Sequence, residues 1–222
     1  MYELKARVAP GLILALPALV DAVYTAPVVS GWPVFATGSA CSVALIYGLG
    51  LFARARGGAI QPKLWSQWGG PPSTRLLRHR DSHFGDDLKS SIRKAVAKKF
   101  SVRLPSPDEE MRNPDGADRS IADVFRQVRP YLRQHDPNGL WSTHSAEYGF
   151  YRNLLGCRAA WVTVALAATA FAAVYGTRIG ARLLNPASAI GLLALMVSVY
   201  VGWAILPGAA RHTADVYAES LG

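Results

Sequence analysis

Four apolar stretches bracket a single basic middle segment in this chain. They run roughly Val8–Pro27, Trp32–Ala53, Ala159–Gly176 and Pro186–Leu206. A helix rises about 1.5 Å per residue, so about 20 apolar residues cross the roughly 30 Å hydrocarbon core of a bilayer. The pattern predicts an all-α membrane protein with four transmembrane helices in two hairpins. A helical cytosolic domain is inserted between helices 2 and 3. The expected boundaries are residues 1–54 for the first hairpin, 55–156 for the basic domain, 157–210 for the second hairpin and 211–222 for a cytosolic C-terminal tail.

Lys5 and Arg7 ahead of the first stretch invite a signal-peptide reading. The stretch is longer than a usual signal core, and three further stretches make the protein membrane-bound on either reading. Cys41 lies inside a stretch and Cys157 at the start of another, which does not suggest a disulfide framework. A reduced, cytosol-facing protein is the natural expectation.

Charge sets the expected topology. The chain carries a formal net charge of +9. Residues 54–103 hold 12 Lys/Arg against 3 Asp/Glu, whereas residues 104–158 hold 7 against 8. Basic residues flanking spans favour the cytoplasmic side. Lys5, Arg7, the basic segment and Arg211 therefore place both termini and the soluble domain in the cytoplasm, with Arg178 and Arg182 running against the rule.

The first stretch contains Pro10, Pro17, Pro27 and Asp21. Proline removes an amide donor and kinks a helix, and in lipid the freed carbonyl needs a partner or a water-filled cavity. A carboxylate at membrane depth is costly and faces a bundle interior or an aqueous path. Asp21 and Pro17 are therefore candidate pore or gating residues. The competing reading puts Asp21 at the outer interface or on a partner helix. Small residues in the second stretch (Gly38, Ser39, Ala40, Ser42, Ala44) and the alanine-rich third stretch suit close helix packing, within one chain or between copies. Trp32, Trp161, Tyr175 and Trp203 fall near span ends, as an aromatic belt would.

In the middle segment, Gly69-Gly70-Pro71-Pro72 argues against regular structure. Helices are expected over residues 86–100, 118–134 and 145–155, the last running into the third stretch. Ser106 reads as an N-cap with Pro107 at the first helical position. Asn113–Gly116 reads as a turn, and residues 212–220 as a short exposed helix. No alternating strand pattern or internal repeat is visible.

Exposed amides and hydroxyls at Gly69–Thr74, followed by Arg75, Arg78 and Arg80, suit a phosphate, and Trp65 and Trp68 can stack on a base. No Gly-Lys-Ser/Thr of a P-loop follows. The alternative is a connector whose tryptophans sit at the membrane surface and whose arginines meet headgroups. Lys94, Lys98 and Lys99, with Arg103 beyond them, extend the basic run toward nucleic acid or lipid. His79 and His83 are four residues apart, but they lack the third ligand and the Glu of a zinc protease site, and Gly85 interrupts the segment. No metal site is expected. No Gly-x-Ser-x-Gly occurs, and neither cysteine has a plausible adjacent base. No catalytic residues, no cofactor and no enzyme activity are expected.

Two segments carry a family likeness. Leu64–Asp81 and Glu147–Gly156 resemble patterns in uncharacterised bacterial membrane proteins found with nucleotidyltransferases in antiphage defence, such as the membrane effector of Hailong-type systems. The likeness covers the soluble domain, about half the chain. It implies an oligomeric ion channel in the bacterial inner membrane, whose opening depends on a nucleotide or nucleic-acid signal made by a partner nucleotidyltransferase. It transfers no site residues.

The expectation is thus a homo-oligomeric membrane channel or pore-forming effector of antiphage defence, a tetramer by preference, in contact with membrane lipid. A nucleotide or oligonucleotide ligand at the basic domain would gate it. The alternative is a non-conducting anchor or scaffold that recruits a cytosolic partner.

Overall fold

The computed structural model describes residues 6, 8–25, 32–178 and 185–220, with side chains outside the described set at 20–25 and 32–44. All regular structure among the described residues is helical. The chain forms two compact units. The first is Met1–Ile60 with Ala146–Ala210, and the second is Gln61–Ser145 with Arg211–Gly222.

In the first unit, α1 spans Ala9–Thr25 and α2 spans Trp32–Gln67. α7 spans Leu140–Arg178, its first six residues belonging to the second unit, and α8 spans Pro186–Tyr200; a π-helical turn, Val201–Ile205, leads into α9, Leu206–Glu219, which belongs to the second unit from Arg211 on. Two helical stretches, Leu140–Arg178 and Pro186–Glu219, are long and apolar enough to cross a membrane. Their most apolar 18-residue windows have mean hydropathy of 1.6 and 2.2. The expected helix 145–155 is part of α7, which continues without a break into the third apolar stretch. α2 extends beyond the second apolar stretch, through Gly57, Gly58 and Pro62, to Gln67.

Glycines let these helices touch. A Cβ on Gly11 of α1 would lie 2.7 Å from Gly50 N of α2, and one on Gly191 of α8 would lie 2.7 Å from Thr169 Oγ1 of α7. Beyond Trp161, which is also buried, the inner face of α7 and α8 is small or hydroxylated: Ala165, Ala168, Thr169, Ala172, Ser188 and Ser198 are all buried. Thr169 and Ser198 satisfy their hydroxyls on the carbonyls of Ala165 (2.7 Å) and Leu195 (2.9 Å) in their own helices. Asn185 caps α8, accepting from Ser188 N at 3.0 Å, and its amide also donates to Ala172 O on α7 at 3.3 Å.

In the second unit, α3 spans Pro72–Leu77, α4 Asp86–Phe100, α5 Pro107–Arg112 and α6 Pro114–Gln134. α6 presents Ile121, Val124, Phe125 and Val128 at helical spacing. These pack with Leu76 and Leu77 of α3, Phe84 ahead of α4, Ile92 and Val96 of α4, Trp141 and Ala218. Fully burying each large apolar side chain stabilises by about 1.5–3 kcal/mol, so this cluster orders the short helices that could not stand alone. α4 matches the expected bounds, with Asp86 and Asp87 in its first turn and Lys98 and Lys99 in its last, complementing the helix dipole. Ser106 and Glu109 form a reciprocal capping box on α5.

Three local expectations need correction. Asn113–Gly116 is a helix start, not a turn: Asn113 Oδ1 accepts from Gly116 N at 3.0 Å and Pro114 takes the first helical position. The Gly-Gly-Pro-Pro run is irregular over its first three residues only, because Pro72 opens α3 with the backbone angle a first helical residue needs. The C-terminal segment is not an exposed helix. Ala214, Asp215 and Ala218 are buried, with small side chains at i and i+4 permitting close approach and Asp215 ion-paired in the second unit.

Candidate functional site

The segment that carries the tryptophans and arginines begins where α2 ends. Gly69 (φ +81°) stops the helix in the left-handed region. Gly70 N donates to Trp65 O at 2.7 Å and Gly69 N to Ser66 O at 3.3 Å, the paired return bonds of a glycine C-cap. Gly70 (φ +125°) is required a second time by space: a Cβ there would lie 2.5 Å from Arg78 Nη2. Arg78 uses that space to donate to the Gly69 carbonyl.

The chain then places the three expected arginines together, against carboxylates. Arg75, only 5% exposed, donates from Nε to Asp81 Oδ2 at 2.9 Å and from Nη1 to Asp215 Oδ1 at 3.4 Å. Arg78, 7% exposed, forks onto Asp118 at 2.7 Å and 2.5 Å. Arg80 reaches Glu110 Oε1 at 3.0 Å and both Asp118 oxygens at 2.9 Å. Glu110, 1% exposed, also accepts the backbone N–H groups of His79 and Arg80, each at 3.0 Å. Lys89, likewise buried, donates to Asp81 O at 2.6 Å and His79 O at 3.3 Å and pairs with Asp86 at 2.9 Å. Arg93 donates to the carbonyls of Leu77 and Pro105.

This is a satisfied network. Removing one partner from such a buried pair leaves a charge stranded in low dielectric. Burial alone would push the Glu110 carboxyl up, but the N–H groups of Arg80 and His79 and the Arg80 guanidinium hold it below its ordinary value. Asp81 behaves alike: burial opposes, and Arg75 and the His83 N–H together win, leaving it lowered.

Trp68, Arg75, Arg80, Asp81, Ser82 and His83 line an open cleft of about 590 Å3. Trp65 precedes it on α2, half-buried. Lys94 lies on a separate cleft of about 490 Å3 with His79, Asp86, Lys89, Ser90 and Arg93. Lys98 and Lys99 are exposed and line neither cleft; Lys99 Nζ sits 4.7 Å from the Tyr131 ring centroid. Among the described residues, no three of His, Cys, Asp and Glu gather as a metal site would require. Pro17 is buried within α1, and the side chain of Asp21 lies outside the described residues.

The sequence reading did not foresee the carboxylates Glu110, Asp118 and Asp215, or the buried Lys89. One signal was present: the slight acidic surplus of residues 104–158 stands opposite the strongly basic half before it. No protein-family description, curated protein or solved structure matches this chain.

Proposed function

We propose that this protein is a homo-oligomeric channel or pore-forming effector of a bacterial inner membrane. Four spans in two hairpins would form the conducting part, and the helical domain would face the cytoplasm as the sensor. The observation that carries this reading is the exposure of the apolar helices. Only 28% and 17% of the residues in their most apolar windows are buried inside the chain. The remainder needs lipid or further copies, and the small, hydroxylated inner face of α7 and α8 suits helix association in lipid, where small residues let backbones approach. Asp21 and Pro17 of α1 remain the proposed gating residues. A nucleotide or oligonucleotide, the product of a partner nucleotidyltransferase, would act at the cleft lined by Trp68, Arg75 and Arg80. To open the channel it must bind the open packing more tightly than the closed one.

The second reading is a non-conducting anchor that recruits a cytosolic partner. One observation favours it: Arg75, Arg78 and Arg80 are all already neutralised by Asp81, Asp215, Asp118 and Glu110. An incoming phosphate must displace a carboxylate rather than meet a free guanidinium.

Ion flux through the full chain in liposomes separates the two. The channel reading expects flux that changes with short oligonucleotides and with Asp21→Asn. Flux absent in every arm, with the protein shown to be inserted, overturns it in favour of the anchor.

A further inference from the structure

The first unit holds positive charge of its own. Its residues 45–60 and 146–160 carry Arg54, Arg56, Arg152 and Arg158 against one acidic residue, Glu147. The backbones of α2 and α7 meet among these arginines. A Cβ on Gly57 would lie 2.2 Å from Asn153 Oδ1, and one on Gly156 would lie 2.7 Å from the carbonyl carbon of Arg56. Asn153, 1% exposed, packs against Gly57 at the crossing and donates to Ala6 O, ahead of α1, at 2.8 Å.

Arg54 and Arg56 are exposed and form no ion pair among the described residues. Arg158 lies over the Trp203 ring, 4.8 Å from its centroid, and Trp203 is 48% exposed. Apolar surface adjoins the charge directly. Leu51 and Phe52 precede Arg54 by less than one helical turn and are 46% and 43% exposed, and Ile205 beside Trp203 is 45% exposed. Cations next to uncovered hydrocarbon, one of them over a half-exposed indole, match an amphiphile with an anionic head better than any wholly polar partner.

We propose that the α2–α7 crossing is a docking site for the phosphate of an anionic membrane lipid, with Arg56 and Arg158 on the headgroup and Phe52, one turn before Arg56, and Trp203 along the acyl chain. This rests on the membrane reading above. Guanidinium groups take phosphate oxygens with charge-assisted, often bidentate bonds, and basic pockets between helices on the cytoplasmic side recognise anionic headgroups in this way.

The test is native mass spectrometry of the full chain in mild detergent, offered equal amounts of phosphatidylglycerol and phosphatidylcholine. Phosphatidylglycerol is expected to be retained about tenfold more, and each arginine lost to cost about fivefold. Arg56→Gln combined with Arg158→Gln should abolish the preference. The corresponding Lys pair should keep most of it, which separates charge from misfolding. Arg126→Gln, at a site 78% exposed in the helical domain, should leave it intact. Equal retention of the two lipids by the wild type, or an equal loss in Arg126→Gln, overturns the proposal. So does displacement by soluble glycerol phosphate at the same concentration, which would mark a free-phosphate site. Partition of the chain into the aqueous phase of a detergent cloud-point separation would overturn the membrane reading itself. A detergent-phase protein without lipid preference overturns only this inference.

Discussion

Arg78 holds Asp118 with two parallel hydrogen bonds, Nε to Oδ1 at 2.7 Å and Nη2 to Oδ2 at 2.5 Å, across forty positions of sequence. The pair ties the segment after α2 to the first turns of α6. Arg80 shares the same carboxylate at 2.9 Å, so Asp118 serves two guanidinium groups. Asp118→Ala should therefore destabilise the helical domain by about 1–3 kcal/mol, below the scale of a fully buried pair because the Asp118 side chain is 24% exposed. Urea unfolding of the full chain in detergent, followed by tryptophan fluorescence, reads the shift. A midpoint equal to wild type would show that the network is dispensable.

The two glycines at the end of α2 should differ in a defined order. Both have positive φ, so alanine strains the backbone at either site by about 1–3 kcal/mol. Only at Gly70 does the added methyl also strike Arg78, whereas at Gly69 it meets open space. Gly70→Ala should lower the melting temperature further than Gly69→Ala. The reverse order would contradict the assigned role of Arg78.

Acid should loosen the helical domain through Glu110 and Asp81. Both carboxyls sit below their ordinary values in the fold. A group with a lowered native pKa binds fewer protons folded than unfolded, so its contribution is present above the unfolded value and lost as pH falls through the native one. With unfolded values of about 4 for Asp and Glu, melting temperature should hold steady near neutrality and fall as the pH drops below about 4. Glu110→Gln should melt lower at pH 7 and show a shallower decline in acid. An unchanged acid slope in that variant would remove Glu110 from the account.

At the α2–α7 crossing, neighbouring glycines provide a matched pair. A methyl on Gly57 lands 2.2 Å from Asn153 Oδ1, while Gly58 has nothing within 4 Å. Gly57→Ala should cost about 1–3 kcal/mol through overpacking. Gly58→Ala should be neutral or slightly stabilising, since alanine is the better helix former. Thermal stability in detergent, read by size exclusion after heating, distinguishes them.

Much of the helical domain was legible because its signals are local. The apolar spacing of Ile121, Val124, Phe125 and Val128 fixes α6, and Ser106-Pro107 with Glu109 announces α5. Asn113 misled because Asn-Pro-Asp-Gly suits a turn and a helix cap equally, and only the packing of Ala117 and Ile121 decides for the helix. The arginine segment was legible as a cluster but not as a network. Asp118 and Asp215 lie 40 and 140 positions from the arginines they meet, and no local pattern encodes such a pairing. The C-terminal helix was misjudged for the same reason, since its burial depends on Arg75 and on the core around Ala218.

The second unit is assembled from two pieces of chain, Gln61–Ser145 and Arg211–Gly222, with Ala146–Ala210 intervening. Its core is incomplete until Ala218 arrives, and Arg75 lacks one of its two carboxylates until Asp215 does. At synthesis rates of about 5–20 residues per second, those last contacts come roughly 4–15 s after residue 145 has been made. During that interval the ribosome delivers the most apolar part of the protein while the helical domain waits unfinished. The order of biogenesis is thereby written into the chain: the apolar helices must be dealt with first, and a nascent chain stalled among them leaves a charged, half-closed domain for chaperones and proteases to find.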